Sequence, residues 1–298
     1  MSSIAVKDVE LTNSLIWFRN DLRINDHPGI NSALSISGKV IGFYCFNSSM
    51  FKMTNLGFPK IDKFRAKFLL ETIENLKEDL KKINVTLIIK IGDPVEELTK
   101  IISQQKIKNI FFQKEWTQEE VDEENQLKSK CNDKNFKSFY SQFLYYPDDL
   151  DINNISNVFT NFRKHCEKKL KVKDLVESPK KLLNDNLLKD DYLIPSLSDL
   201  GLEDFEMDSR SAFKFKGGCN AAKERLDFYL WQSKKINFYK QTRNGLIGQD
   251  YSSKFSSWLS NGSISPREIF WEIKDYEKNI LKNQSTYWLI FELIWRDF

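Results

Sequence analysis

The densest group of reactive side chains in the sequence lies in Tyr251-Ser-Ser-Lys-Phe-Ser-Ser-Trp-Leu-Ser-Asn-Gly262, where Ser252, Ser253, Lys254 and Ser256 fall within five residues. Hydroxyls and an ammonium just ahead of an apolar run read as a loop entering a helix. A helix start offers free N–H groups and a positive dipole end to an anion, so the group would cradle a phosphate. The same serines also suit an ordinary helix cap. Asn261-Gly262 stops this short helix, and Ser265-Pro-Arg-Glu268 opens the next with a capping box and Pro at its first position.

A second set closes the sequence. Between Ser285 and Phe298, the residues Trp288, Glu292, Trp295 and Arg296 fall at i, i+4, i+7 and i+8 and share one helical face. The segment is apolar nearly all round, which predicts a buried helix. A carboxylate and a guanidinium between two indoles have two readings. One is a Glu292–Arg296 ion pair at i, i+4, worth roughly a few tenths of a kcal/mol when exposed. The other is a cavity wall with a polar handle. Upstream, Phe238-Tyr-Lys-Gln-Thr-Arg-Asn-Gly-Leu246 carries Tyr239, and also Arg243 as a phosphate or substrate contact.

The elements that must hold these residues follow from periodicity. Apolar runs at Ser14–Phe18, Lys39–Phe46, Val85–Ile91, Lys108–Phe112 and Phe136–Tyr140 read as strands. Between them lie helical patterns: residues 61–83 with a Leu69, Ile73, Leu76, Leu80 stripe, a helix opened by Asp93-Pro94 with Val95, Leu98, Ile101 and Ile102 inward, and a charged helix from Thr117 to Cys131. Asp26 is placed to cap a helix after the first strand. The βαβ rhythm predicts an α/β domain over 1–146, built on a doubly wound parallel five-stranded sheet with flanking helices. Residues 1–13 read as a loose arm. Residues 147–216 read as a long linker with a helix near Phe159–Lys169, and 217–298 as a partial all-α domain. No GxGxxG follows the first strand, which excludes a conventional dinucleotide site. Ligands still belong at the carboxyl ends of such strands, which puts Arg19–Arg23, Asn47–Pro59 and Gln113–Trp116 on one rim.

Composition narrows the classes. With 298 residues, 41% hydrophobic and 29% charged, the chain holds two ordinary domains and is not globally disordered. A net charge of +3 is too small to imply nucleic-acid binding by the whole surface. The local run Lys168-Lys-Leu-Lys-Val-Lys173, followed by Lys180-Lys181, reads first as a solvated face and second as a phosphate-backbone contact. Seven Trp and 23 Phe serve either an aromatic core or a ring-lined cofactor cavity. Cys45, Cys131, Cys166 and Cys219 contain no CxxC pair, and with only His27 and His165 beside them they leave no disulfide framework and no zinc set. A reducing intracellular compartment follows, whether cytoplasm, nucleus or organelle. No apolar segment is long enough to span a bilayer.

Three blocks then come in order: Arg243-Asn-Gly-Leu246, Asp250-Tyr-Ser-Ser-Lys-Phe-Ser256 and Phe291-Glu-Leu-Ile-Trp-Arg-Asp-Phe298. Together they resemble the flavin-binding domain of the cryptochrome/photolyase family, most closely its cryptochrome DASH branch. Phe18-Arg-Asn-Asp-Leu-Arg23, Gly57-Phe-Pro-Lys60 with Arg65-Ala-Lys-Phe-Leu-Leu-Glu71, and Phe159-Thr-Asn-Phe-Arg-Lys164 resemble motifs of its antenna domain and linker. The resemblance implies a DNA photolyase, a carbon–carbon lyase in which light drives an electron from reduced FAD to split cyclobutane pyrimidine dimers, with single-stranded DNA preferred. It implies that Tyr239, Ser252, Ser253, Lys254, Phe255 and Ser256 touch FAD, that Arg296 lies beside it, and that Glu292 and Trp295 face the lesion. It also implies that Glu115, after the fourth strand, helps hold a 5,10-methenyltetrahydrofolate antenna, where the plain alternative is a surface glutamate. The protein is expected to act as a monomer.

The sequence departs from the family at Ser257, where proline is usual, and at Asp26-His-Pro-Gly29. It also stops inside the third block, which implies a fragment of a longer product or a shortened relative. Two other functions stay open: a blue-light-sensing cryptochrome acting through partner proteins, and a folate- or nucleotide-binding module without activity.

Overall fold

Residues 12–211 and 213–298 are described by the computed structural model. Five strands form one sheet: β1 (Thr12–Trp17), β2 (Ser37–Asn47), β3 (Thr86–Gly92), β4 (Ile107–Gln113) and β5 (Asn135–Phe139). Their order is β3-β2-β1-β4-β5, and every neighbouring pair is parallel. The order reverses at β1, the doubly wound arrangement that the alternation predicts. Both faces are covered. On one, α2 (Lys63–Lys82) buries Ile73, Leu76 and Leu80. On the other, α3 (Pro94–Gln104) buries Val95, Leu98, Ile101 and Ile102. Asp93 caps α3, accepting from Glu96 N at 2.9 Å, and Thr117 with Glu120 forms a capping box on α4 (Gln118–Lys130).

The first helix, α1 (Pro28–Ile36), begins differently from the sequence expectation. His27, not Asp26, meets its first turn: Ile30 N donates to His27 Nδ1 at 3.1 Å. Asp26 stands in the left-handed region at φ 48°. Its carboxylate is buried in the seam between the α/β and helical parts. It receives Ser265 Oγ at 2.6 Å, Arg267 Nη2 at 2.8 Å and Nε at 3.0 Å, and Val176 N at 2.9 Å. A carboxylate with four donors is fully committed, so none of it remains for a helix cap.

The helical part contains α5 (Phe159–Lys169), α6 (Cys219–Asp227), α7 (Tyr239–Thr242), α8 (Ser256–Ser260), α9 (Pro266–Asn279) and α10 (Gln284–Asp297). One core unites them, with Phe162, Cys166, Tyr229, Trp258, Ile273 and Leu293 inside and with Leu144 and Tyr145 drawn in from earlier in the chain. The helix α6 runs on as a π-helical turn, Phe228–Gln232. The expected capping box on α9 is present: Ser265 N donates to Glu268 Oε2 at 3.0 Å, and Glu268 N donates to Ser265 Oγ at 3.0 Å.

The chain between α5 and α6 wraps the sheet. Asn186 is buried there, accepting from Val40 N at 2.8 Å and donating to Val40 O at 3.0 Å and Asn84 O at 2.6 Å. The two parts meet closely at Gly262, φ 72°, where a Cβ would lie 2.1 Å from the Asn20 carbonyl oxygen. Only glycine lets the backbones approach this closely.

Candidate functional site

The serine loop is braced from beneath by a residue that sequence reasoning passed over. Arg225 on α6 is 6% exposed. Its guanidinium donates to Ser253 O (3.0 Å), Ser252 O (3.0 Å), Gln249 O (3.1 Å) and Asp250 Oδ1 (2.8 Å). The signal was a lone arginine amid an apolar helical pattern, and only the fold shows what it meets. With its main chain held this way, the loop leaves the hydroxyls of Ser252, Ser253 and Ser256 in no side-chain hydrogen bond to another described residue. No serine caps α8, whose cap position is Phe255. Ser256 is the exposed first residue of α8, whereas Ser252–Lys254 lie in the loop before it. Lys254 is at φ 66°, and its ammonium lies 3.5 Å from the centre of the Tyr251 ring.

Aromatic rings join this loop to α10. Phe255 is 2% exposed and meets Tyr229 edge-on at 6.3 Å, and Tyr229 meets Tyr239 edge-on at 6.5 Å. Burial pushes the Tyr239 hydroxyl up to about 12, with the Glu292 charge adding to the effect and Arg243 opposing it. The helix α7 is docked on α10, with Lys240 N donating to Ser285 Oγ at 3.2 Å.

On α10, one face is buried through Leu289, Ile290, Leu293 and Ile294. The opposite face stays accessible, unlike the wholly buried helix expected. The i, i+4 pair between Glu292 and Arg296 does not form. Glu292 Oε1 meets Arg243 Nη1 at 2.8 Å instead. Arg296 donates to the carbonyls of Leu259, at 3.1 Å, and Gln142. Both indoles flank the carboxylate, on different sides. Trp288 stacks on Phe291 at 4.7 Å, with Lys240 and Arg243 over its ring. Trp295 stacks on Phe159 of α5 at 3.6 Å and 13°, and remains 45% exposed. The structure thus gathers Tyr239, Arg243 and Glu292, with the serine loop on one flank and Trp295 on the other.

Glu115 belongs to a different place. It is 8% exposed, which removes the surface-glutamate reading, and it accepts from Gln113 Nε2 at 2.9 Å and Asn20 Nδ2 at 3.2 Å. Burial pushes its carboxyl up to about 7. Asn20 leads from it into a cleft of about 1480 Å³ beyond the carboxyl ends of β1 and β2, as the strand rule predicts. Arg19, Asn47, Phe51 and Phe64 line the cleft on the sheet side, and Phe213, Ser260 and Asn261 on the helical side. Arg19 Nη2 donates to Glu120 O at 2.8 Å, while Nη1 is buried with no hydrogen-bond partner among the described residues. Neither Ser252–Ser256 nor Glu292 and Trp295 line this cleft.

A family model described as DNA photolyase matches residues 14–181. The chain belongs to the DNA photolyase family. Within it, the chain is similar to cryptochrome DASH of Gloeobacter violaceus, 41% identical over 95% of this chain and 57% of the relative. It is also similar to chloroplastic/mitochondrial cryptochrome DASH of Arabidopsis thaliana, 37% identical over 100% of this chain and 53% of the relative. The solved structure of a Synechocystis cryptochrome superposes with a TM-score of 0.90 at 37% identity, over 96% of this chain and 60% of that one. A class III photolyase from Agrobacterium tumefaciens shares the fold, with a TM-score of 0.79 at 23% identity over 99% of this chain and 59% of that one. The chain therefore spans somewhat over half the length of these photolyase-family relatives, and its five-stranded sheet and helical part are the family architecture.

Proposed function

We propose that this chain carries the diphosphate- and lesion-facing part of a DASH-type DNA photolyase, with 1–146 as its antenna domain, 147–216 as linker and 217–298 as the first part of its flavin domain. The observation that carries the reading is the loop held by Arg225, whose serine hydroxyls make no hydrogen bond among the described residues. Hydroxyls presented on a fixed backbone beside a lysine fit the oxygens of a dinucleotide diphosphate. The five residues of α8 are too few for its dipole to be the main attraction, so the hydroxyls and Lys254 supply the fit. When bound in reduced form, FAD supplies the electron that opens the cyclobutane ring of a pyrimidine dimer and takes it back afterwards, so the reaction has no net oxidant or reductant.

The chain's own residues bind and orient. Ser252, Ser253 and Ser256 donate to the diphosphate, and Tyr239 and Phe255 provide apolar walls. Arg243 aims the Glu292 carboxylate, which accepts a hydrogen bond from a pyrimidine N–H. Trp295, backed by Phe159, offers its free ring face to an extruded base. An already single-stranded lesion avoids the cost of breaking base pairs, which favours single-stranded DNA as substrate. Arg296, committed to two carbonyls, acts by holding α10 in place.

The cleft supports the folate reading separately. A buried carboxylate at Glu115 and a free guanidinium N–H at Arg19 suit a ligand with both an N–H edge and an anionic tail, as 5,10-methenyltetrahydrofolate has.

The test is to load the protein with FAD, reduce it, and illuminate a single-stranded oligonucleotide carrying a cyclobutane dimer. Dimer loss in blue light, abolished by Glu292→Ala without loss of flavin, is expected. A reduced, flavin-loaded sample that leaves the dimer intact would reject repair. In that case an unaltered flavin signal in Glu292→Ala would point to light sensing.

A further inference from the structure

Lys254 is the cation of the serine loop, and its side chain is held in an unusual way. Among the described residues it forms no ion pair and no hydrogen bond, and its ammonium lies 3.5 Å from the centre of the Tyr251 ring. The lysine stands at φ 66°, a region that a residue with a Cβ disfavours and that glycine fills readily. Its neighbours hold it there: Ser253 O accepts from Arg225 Nε at 3.0 Å, and Phe255 is buried. A strained position that keeps a long cationic side chain, where glycine would relieve the strain, points to a use for the cation.

Tyr251 is fixed in turn. A Cβ on Gly245 would lie 3.1 Å from Tyr251 Cβ and 3.3 Å from its Cγ, so the Tyr251 side chain rests on the main chain at Gly245. Gly245 N donates to Thr242 O at 2.8 Å, and Arg243, two residues before the glycine, pairs with Glu292. On either side of Tyr251, Arg225 donates to Asp250 Oδ1 at 2.8 Å and to Ser252 O at 3.0 Å. The ring is thus a fixed plate, and the flexible four-carbon stem of the lysine is laid upon it.

We infer that Tyr251 is a positioning residue for the anion site: its ring face holds the Lys254 ammonium within the same four residues that carry the Ser252 and Ser253 hydroxyls. The inference rests on the proposed function in taking a diphosphate as the ligand, and goes beyond it in giving a role to a residue that need not touch that ligand. A ring face attracts a cation through its quadrupole and does not neutralise it, so the charge stays available. A carboxylate at this position would compete with the ligand for the ammonium. An aliphatic side chain would leave the lysine stem to lose its rotamer freedom when the ligand binds. An aromatic ring avoids both.

The experiment is calorimetric titration with FAD and, separately, with ADP-ribose, which carries the same diphosphate linkage without the flavin ring. The proteins are the wild type, Tyr251→Leu, Tyr251→Phe, Lys254→Met and the double variant of Tyr251→Leu with Lys254→Met. Tyr251→Leu keeps apolar bulk on Gly245 and should weaken both ligands about fivefold, whereas Tyr251→Phe, which keeps the ring face, should stay within about twofold. Lys254→Met should weaken both about tenfold or more, and the double variant should be no weaker than Lys254→Met alone. In the ligand-free protein, the ring current should move the Lys254 ε-methylene protons upfield in the NMR spectrum of the wild type and Tyr251→Phe, and not in Tyr251→Leu. Losses that add in the double variant, a Tyr251→Phe loss equal to that of Tyr251→Leu, or an unshifted Lys254 signal in the wild type would each overturn the inference, and leave the proposed function standing where FAD still binds. ADP-ribose binding with the coupling intact, but no uptake of FAD, would support the inference and reject the flavin reading. A wild type that binds neither ligand would overturn both.

Discussion

Arg243 Nη1 stands 2.8 Å from Glu292 Oε1, linking the segment ahead of the serine loop to the accessible face of α10. Both side chains are about three-tenths exposed, at 31% and 29%. Solvent therefore screens the pair, and it adds little to stability, on the order of 1 kcal/mol or less. Arg243→Ala should accordingly shift unfolding only slightly. Under the proposed function it should lower dimer repair by about tenfold or more, because the carboxylate loses its aim. Denaturant midpoints and repair rates on the same samples separate the two effects.

The buried pair in the seam behaves in the opposite way. Asp26 and Arg267 are each 1% exposed, and the aspartate accepts from three further groups or atoms. Asp26→Ala leaves the guanidinium uncompensated in the interior and should cost about 3–5 kcal/mol, read from urea unfolding.

Glycine substitutions should separate crowding from backbone strain. Gly57 has φ 83° with nothing near its missing Cβ, so Gly57→Ala should cost about 1–2 kcal/mol. Gly262 has φ 72°, and its Cβ would also overlap the Asn20 carbonyl at 2.1 Å and Asp21 Cα at 2.6 Å. Gly262→Ala should therefore exceed Gly57→Ala by at least about 2 kcal/mol. Equal losses in a thermal melt would refute the close approach.

Two buried carboxyls set a pH dependence. Burial raises Glu115 from 4.5 and Asp297 from 3.8, each to about 7. Asp297 holds the main chain through Leu144 N at 3.0 Å and Tyr145 N at 2.9 Å. Between roughly pH 4 and 7 the folded state binds protons at these groups that the unfolded state has released, so their contribution to stability falls as pH rises through that window and is flat above it. Glu115→Gln mimics the protonated form. It should gain on wild type as pH rises from 5 to 8, by an amount on the order of 1–3 kcal/mol at the upper end. A constant difference across that range would contradict the assignment.

Removing the brace under the loop should be felt locally. Arg225→Ala frees three carbonyls, of Gln249, Ser252 and Ser253. Amide exchange should quicken across 249–254 while the sheet keeps its protection. Affinity for FAD should fall about tenfold or more, because the hydroxyls are no longer presented on a fixed backbone.

Much of the architecture was legible because its signals are local. Strand runs, the Asp93 and Ser265 caps and the α3 stripe each depend on neighbours within one turn, and each appears as read. What escaped depends on distant partners. Asp26 looked like a cap because Arg267 lies 241 residues away in the chain. The i, i+4 spacing of Glu292 and Arg296 left an ion pair open beside a cavity wall, and the pair does not form because Arg243 and two carbonyls offer better-placed partners from other elements. Arg225 gave no sign of its role, since nothing in its own helix shows that four acceptors converge on it. The motif blocks did not show that Glu115 sits under the Asn20 edge of a cleft that Glu292 does not line.

The contact at Gly262, together with Asp26 and Arg267, also limits how relatives of this chain can exchange pieces. A hybrid that takes its sheet from one parent and its α9 from another inherits the aspartate and the arginine from different histories. If one parent lacks its member, the hybrid carries a stranded charge where water cannot reach it. Crossovers between residue 26 and residue 262 should thus succeed only between parents that share both, so the two parts are transmitted as one unit.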